Sequence, residues 1–241
     1  MNNVNLGTLY GVSVGTGDPE LITVKGLRLL QKTKIIAFPA GINNQLGIAQ
    51  QIITQWLQST QITVPLDFPY VRNKAILQAA WHKSANIVWQ YLQKGEDVAF
   101  ACEGDISFYS TFTHLATTLK QLEPTVKIAT IPGVCSLVAA VSDLGIPLTI
   151  NHQRLTVLPA LYTVKELETA LDTAEVVVLL KVSSVYRQVW HILQQRQLLE
   201  YSFVVEKATL SDRKIYTNLI NHPDLQLPYF SLLVVKCDQK Q

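Results

Sequence analysis

Five short apolar runs, each followed by a segment whose apolar residues recur at helical spacing, fill the first 146 residues of the chain. "TLYGVSV", "KIIAFP", "QITVPL", "DVAFAC" and "VKIATIP" read as buried strands. Between the first two, Leu21, Val24, Leu27 and Leu30 mark a helical stripe, and Leu77, Trp81, Val88 and Leu92 mark another within Arg72–Lys94. "FYSTFTHLATTLKQL" and "SLVAAVSDLG" complete the helical segments of this half. Strands separated by helices predict a mostly parallel sheet with helices on both faces.

The pattern changes after "GIPLTINHQ". "RLTVLPA", "EVVVLLKV", "FVVEKATL", "RKIYTNL" and "YFSLLVVK" are five strand candidates, with helices only near Lys165–Leu171 and Ser184–Arg196. The last three follow one another with no helix between them, which predicts antiparallel pairing. The expected fold class is therefore α/β in two domains. Residues 1–146 form the glycine-rich N-terminal domain, and 147–241 form a C-terminal domain with a mixed sheet.

With 48% hydrophobic side chains, 241 residues suffice for two cores. A net charge of +2 gives no basic stripe for nucleic acid. Apolar runs such as "EVVVLL" fall short of the roughly 20 residues a membrane helix needs. "MNNVNLGTLYG" has no basic region followed by a long apolar one, so no secretory signal is expected. Cys102, Cys135 and Cys237 are far apart and odd in number, as expected of reduced thiols in a cytoplasmic protein. The histidines show no metal-ligand spacing, so no metal is expected.

The first strand runs into "GTGDPELIT". Counted as a dinucleotide fingerprint from Gly15, the pattern passes Gly17 but meets Glu20 where a third glycine belongs. Lys25-Gly26 stands in the wrong order for a phosphate loop. One reading left is a tight turn, with Asp18 capping the helix that Pro19 begins. The other is a ligand site, because "CEGDISFYSTF" and "TIPGVCSLVAA" place glycines in the same position after two further strands. Carboxyl ends of parallel strands share one edge, where ligands bind. Asp105 on that edge suits an uncharged or cationic ligand better than a phosphate.

The order "GVSVGTGDPELIT", "GDISFY", "IPGVCS", "VVLLKV", "VVEKAT" resembles the tetrapyrrole methylases, from Leu9 to about Lys236. "VGTGDPELITVKGLRLL" and "DFPYVRNKAILQAAWHKSA" resemble most the members that methylate C-20 of precorrin-2 in cobalamin synthesis. The resemblance implies a homodimer with S-adenosyl-L-methionine folded into a cleft that the second domain completes, leaving S-adenosyl-L-homocysteine as product. It assigns cofactor contacts to Gly15, Thr16, Gly17 and Asp18, to Glu103, Gly104, Asp105 and Phe108, to Cys135 and Ser136, and to Leu180, Ala208 and Thr209. Three positions depart from the family pattern. Thr16 and Ile106 stand where proline is common, and Tyr70 where methionine is.

Methyl transfer of this kind needs no protein nucleophile, and no Ser-His-Asp or Cys-His arrangement is apparent. Asp105 is read as a polar group near the methyl or as a helix N-cap. Tyr109, the second catalytic candidate, reaches the ring or only packs. The implied substrate is a tetrapyrrole rich in carboxylates, so Arg72, Lys181 and Arg213 are substrate candidates by chain position. Lys181 also reads as a solvated strand end, and Glu206 with Lys207 as a surface pair. Other corrin or uroporphyrinogen methylases, a diphthine synthase, a ribosomal-RNA ribose methylase and a non-catalytic nucleotide-binding protein remain alternatives. No nucleic-acid or membrane partner is expected.

Overall fold

A computed structural model describes residues 5–41, 46–69, 71, 73–160 and 163–240. The chain divides into two compact units, residues 1–135 and 136–241.

In the first unit five parallel strands form one sheet: β1 (Thr8–Ser13), β2 (Ile35–Pro39), β3 (Ile62–Leu66), β4 (Val98–Cys102) and β5 (Lys127–Ile131). Their spatial order is β3-β2-β4-β1-β5. The helices are α1 (Val24–Lys32), α2 (Ile48–Ile53), α3 (Lys74–Leu92) and α4 (Phe112–Leu122). Ile22 before α1, Leu30 of α1 and Ile52 and Ile53 of α2 pack with Val12, Ile36, Phe38, Ala99 and Ala101. On the opposite face, Val88 and Leu92 of α3 and Leu115 and Leu119 of α4 pack with Leu9, Ile35, Val98 and Phe100. Alternate residues of each strand thus serve opposite cores, as the period of two requires. The helices that follow the neighbouring strands β1 and β4 lie on opposite faces. That makes the β4–β1 boundary a topological switch point, where open α/β sheets leave a crevice.

Two local expectations need correction. Val24 belongs to the predicted stripe of α1 but is 63% exposed. The buried face runs through Ile22, Gly26 and Leu30 instead. A Cβ on Gly26 would lie 3.2 Å from Val12 Cγ1, so the helix turns its glycine toward the sheet and Val24 outward. Asp18 does cap a turn, accepting from the Glu20 amide at 2.8 Å, but the turn is a separate 3-10 segment, Pro19–Leu21. Helix α1 has its own cap, Thr23.

The second unit holds α5 (Ser136–Leu144), α6 (Val164–Thr173) and α7 (Tyr186–Gln195). Its sheet contains β6 (Leu155–Leu158), β7 (Val176–Leu180), β8 (Ser202–Glu206), β9 (Lys214–Thr217) and β10 (Ser231–Lys236), in the order β6-β7-β10-β8-β9. Only β6 and β7 are parallel; β10 pairs antiparallel with β7 and β8, and β9 antiparallel with β8. Leu167, Leu171, Val189 and Leu193 from α6 and α7 cover one face through Val177, Leu179, Val204 and Leu233. The buried ammonium of Lys236 donates to the carbonyls of Pro147 and Leu148, each at 2.7 Å, which fixes the chain between α5 and β6. The contacts place α5 with the second unit, whereas the expected boundary near Pro147 places it with the first. Asp143 of α5 supplies the tie, accepting from the Thr209 amide at 2.8 Å and pairing with Arg213 at 3.5 Å.

Phe100 is fully buried, with its ring 6.0 Å from Phe68 and 5.8 Å from Phe112. Truncating such a side chain leaves a cavity that the sheet cannot close. Phe100→Ala is expected to destabilise the first unit by about 3–5 kcal/mol. Urea unfolding of the full chain provides the measurement.

Candidate functional site

β4, β1 and β5 are neighbours and parallel, so their carboxyl ends open on one edge. Three loops leave from there, and a small set of hydrogen bonds ties them together. Beyond the last ladder bond, Val14 donates to the Cys102 carbonyl at 2.9 Å. Gly104 then donates to the Gly15 carbonyl at 2.6 Å, which makes an isolated antiparallel bridge between the first two loops. Gly15 and Gly104 have φ of +81° and +70°, a region closed to most side chains. A Cβ on Gly104 would meet no atom within 4 Å, so its backbone faces open space.

Asp105 links the second loop to the third. Its Oδ2 accepts from the Gly133 amide at 2.7 Å. Its Oδ1 accepts from the amide of Ser107 at 2.9 Å and from the Ser107 hydroxyl. Partial burial disfavours the charge, but hydrogen bonds from Ser107, Gly133 and Ser13 outweigh it and hold the carboxyl below its ordinary range. Beneath these loops Ser13 is fully buried, and its Oγ accepts from the Ile106 amide at 2.8 Å. Gly133 is needed there, because a Cβ would stand 2.4 Å from that of Ser13.

The loop geometry corrects the expected start of α4. Residues 107–110 are not helical: Tyr109 has φ +51°, and the Ser110 hydroxyl accepts from the Phe112 amide at 3.1 Å, where α4 begins. Asp105 is therefore no N-cap of α4, and Phe108 lies in the loop before the helix. Phe108 is half-buried and Tyr109 is 56% exposed, with their rings edge to face at 4.8 Å. Thr16 and Asp18 are half-buried and Gly17 is buried, all in the first loop. Glu103 is half-buried between β4 and Gly104. Cys135 is a half-buried free thiol, and Ser136 opens α5. Burial, followed by the Glu103 charge, pushes the Cys102 thiol up to about 12, so it presents no thiolate at neutral pH.

In the second unit, β7 and β8 flank β10 and end on the same edge. Leu180 lies beside Leu232, which pairs with Val205 across the next ladder. Lys181 follows with φ +54°, exposed, its ammonium 5.5 Å from the centre of the Tyr229 ring. Ala208 is buried, and Thr209 has φ +68° with its amide held by Asp143. Arg213 is engaged by the same Asp143. Glu206 and Lys207 are not a surface pair. Glu206 is 5% exposed and accepts from the Tyr216 hydroxyl at 3.0 Å, while Lys207 pairs with Asp212. An open hollow of about 470 Å3 is lined by Glu206, Lys207, Lys214 and Pro228, and one of about 630 Å3 by Arg187, His191 and Asp224. Arg72 lies outside the described residues. Among the described residues, no group of three or more His, Cys, Asp or Glu could hold a metal, and no helix is long and apolar enough to cross a membrane.

Ser13 and Asp143 were not among the residues singled out from sequence, whereas Gly133 was read there as the glycine of the third turn. A polar side chain inside the apolar run "YGVSV" is the one signal that marks Ser13. The three loops carry Asp18, Glu103 and Asp105 and no lysine or arginine. A phosphate is disfavoured there; backbone amides and carbonyls beside carboxylates suit a neutral or cationic ligand with its own donors. Asp105→Ala removes the acceptor of the Gly133 amide and is expected to cost about 1–2 kcal/mol, read from urea unfolding. Because the folded carboxyl titrates below its ordinary 3.8, the tie is complete above that pH and is lost as pH falls through the lowered value. The amide signals of Gly133 and Ser107, which report the tie itself, should therefore stay constant from pH 8 to 5.

The family model of the Tetrapyrrole (Corrin/Porphyrin) Methylases matches residues 8–224. A cobalt-precorrin-2 C(20)-methyltransferase of Salmonella typhimurium is 30% identical over 230 residues, covering 95% of this chain and 96% of its own. The cobalamin biosynthesis protein CobIJ of Mycobacterium bovis is 31% identical over 95% of this chain, but the chain spans only 46% of CobIJ. A uroporphyrin-III C-methyl transferase from Thermus thermophilus, solved with S-adenyl homocysteine, has the same fold. Its TM-score is 0.64 at 18% identity, covering 95% of this chain and 97% of its own. The chain, matched over most of its length, belongs to the tetrapyrrole methylases.

Proposed function

We propose that this protein transfers a methyl group from S-adenosyl-L-methionine to C-20 of precorrin-2 or its cobalt complex. The observation that carries the reading is the three-loop edge: glycine backbone open to a ligand, carboxylates beside it, and no lysine or arginine in the three loop segments themselves. The 30% identity to the Salmonella typhimurium enzyme over nearly both whole chains supports the choice of ring and carbon.

When bound, S-adenosylmethionine supplies the methyl group, its sulfonium ending as a neutral thioether as the ring carbon gains the methyl and releases a proton. The chain's own part is placement. Gly15, Thr16, Gly17 and Asp18, with Glu103, Gly104 and Asp105, line the first unit's edge and hold the ligand against backbone fixed by the Gly15–Gly104 bridge. Phe108 packs beside it, and Cys135 and Ser136 extend the third loop. The family resemblance also assigns cofactor contacts to Leu180, Ala208 and Thr209, all at strand ends or the following loop of the second unit. Holding reacting groups in line can supply roughly 7–11 kcal/mol, so no protein nucleophile is required. Tyr109 is exposed and faces the macrocycle in this reading. Lys181, Arg72 and Arg213 meet its carboxylates, with Arg213 exchanging part of its contact to Asp143. We also propose a homodimer, consistent with exposed Ile215, Ile220, Tyr229 and Phe230, and a cytoplasmic setting, consistent with three free thiols.

Incubation of the full chain with methyl-labelled S-adenosylmethionine and precorrin-2, with and without inserted cobalt, tests the activity. Label is expected in one of the two tetrapyrroles, at C-20 by NMR. Label in neither, or label transferred only to uroporphyrinogen supplied in a parallel incubation, overturns the reading. Light scattering on the eluting peak of a sizing column is expected to give twice the chain mass of 26.9 kDa.

A further inference from the structure

We infer that Ser13 is a positioning residue for the cofactor loops, acting through the amide of Ile106 rather than by touching ligand. The inference rests on the proposed methyltransferase reading.

Ser13 ends β1 at the switch point, with no solvent exposure. A hydroxyl so buried is retained without cost only when it is hydrogen-bonded. Its Oγ accepts from the Ile106 amide at 2.8 Å, and its own proton serves the Asp105 carboxylate. One side chain thus joins the end of β1 to two consecutive residues of the second loop. Asp105 hands the constraint to the third loop through Gly133, whose missing Cβ lets the loop close over Ser13.

The lock depends on residue 106 having an amide proton. A proline at this position could not donate. Ile106 is itself buried, 3% exposed. Among the described residues the Ile106 amide is bonded to Ser13 Oγ, so losing Ser13 leaves that amide unmet and losing the amide leaves a buried lone pair on Ser13 unmet. The two residues form a matched pair: changing either one orphans a buried polar atom in the other, whereas changing both removes donor and acceptor together.

That symmetry gives the test. Wild type, Ser13→Ala, Ile106→Pro and the double variant are compared as full chains by titration calorimetry with S-adenosylhomocysteine. Wild type is expected to bind, Ser13→Ala about tenfold more weakly, and the double variant more tightly than Ser13→Ala. In steady state, Ser13→Ala is expected to raise KM for S-adenosylmethionine and leave KM for the tetrapyrrole unchanged. By hydrogen exchange, the Ile106 amide is expected to be protected in wild type and to exchange faster in Ser13→Ala. The deciding comparison is Ser13→Ala with the double variant, so it survives if Ile106→Pro alone does not fold. Unchanged affinity in Ser13→Ala, or a double variant weaker than it, overturns the positioning role. Absence of binding by wild type overturns the methyltransferase reading and this inference with it.

Discussion

The hydrogen bond from the Gly133 amide to the Asp105 carboxylate joins loops that the sheet alone leaves independent. Parallel ladders fix the strands β4, β1 and β5 against one another, but their hydrogen bonds stop at Ser13, Cys102 and Ile131. Past those residues each backbone must find partners elsewhere. The Gly15–Gly104 bridge extends the β1–β4 pairing by one step in the opposite sense, and only positive φ at both glycines permits it. Asp105 then closes the set on the β5 side. An edge built this way keeps its remaining amides and carbonyls in place without spending them, which is what a ligand read by backbone requires.

Charge follows from the same arrangement. An ionised Asp105 stabilised by its own loop neighbours adds negative potential, and Asp18 and Glu103 share the edge. A phosphate placed there meets repulsion; a sulfonium compound does not. The acidic loops and the failed phosphate spacing in the sequence are therefore one observation made at two levels.

Much of this was legible beforehand. Among the described residues nine of the ten strands fall inside the apolar runs read from sequence and β8 starts one residue before its run, because short runs bounded by glycine, proline or polar residues leave little choice of element. The three loops were legible as a set since parallel topology brings strand ends together whatever the residues are. What escaped were features decided by single contacts across the chain. The start of α4 escaped because Ser107 and Ser110 hydrogen-bond locally and Tyr109 turns left-handed, so residues with acceptable helix propensity stay out of the helix. The phase of α1 escaped because Gly26 approaches Val12, a contact that periodicity does not encode. The attachment of α5 hangs on Asp143, whose partners Thr209 and Arg213 lie more than sixty residues away.

Asp105 was read from sequence as a polar group near the transferred methyl, and its surroundings limit the work it can do there. General-base efficiency peaks when the base's pKa lies near the working pH. Asp105 sits well below that, held down by Ser107, Gly133 and Ser13, and both its oxygens already accept hydrogen bonds. Taking a proton would weaken the tie that joins the second and third loops. In the proposed reaction its contribution is therefore electrostatic and geometric, and the proton that leaves the ring goes to solvent or to another group. Cys102 is excluded from that task by burial, since a thiol pushed up to about 12 holds no thiolate to accept a proton. The physical economy of the first unit thus lies in placement: ordered backbone, one fixed charge, and a buried serine that lets both persist.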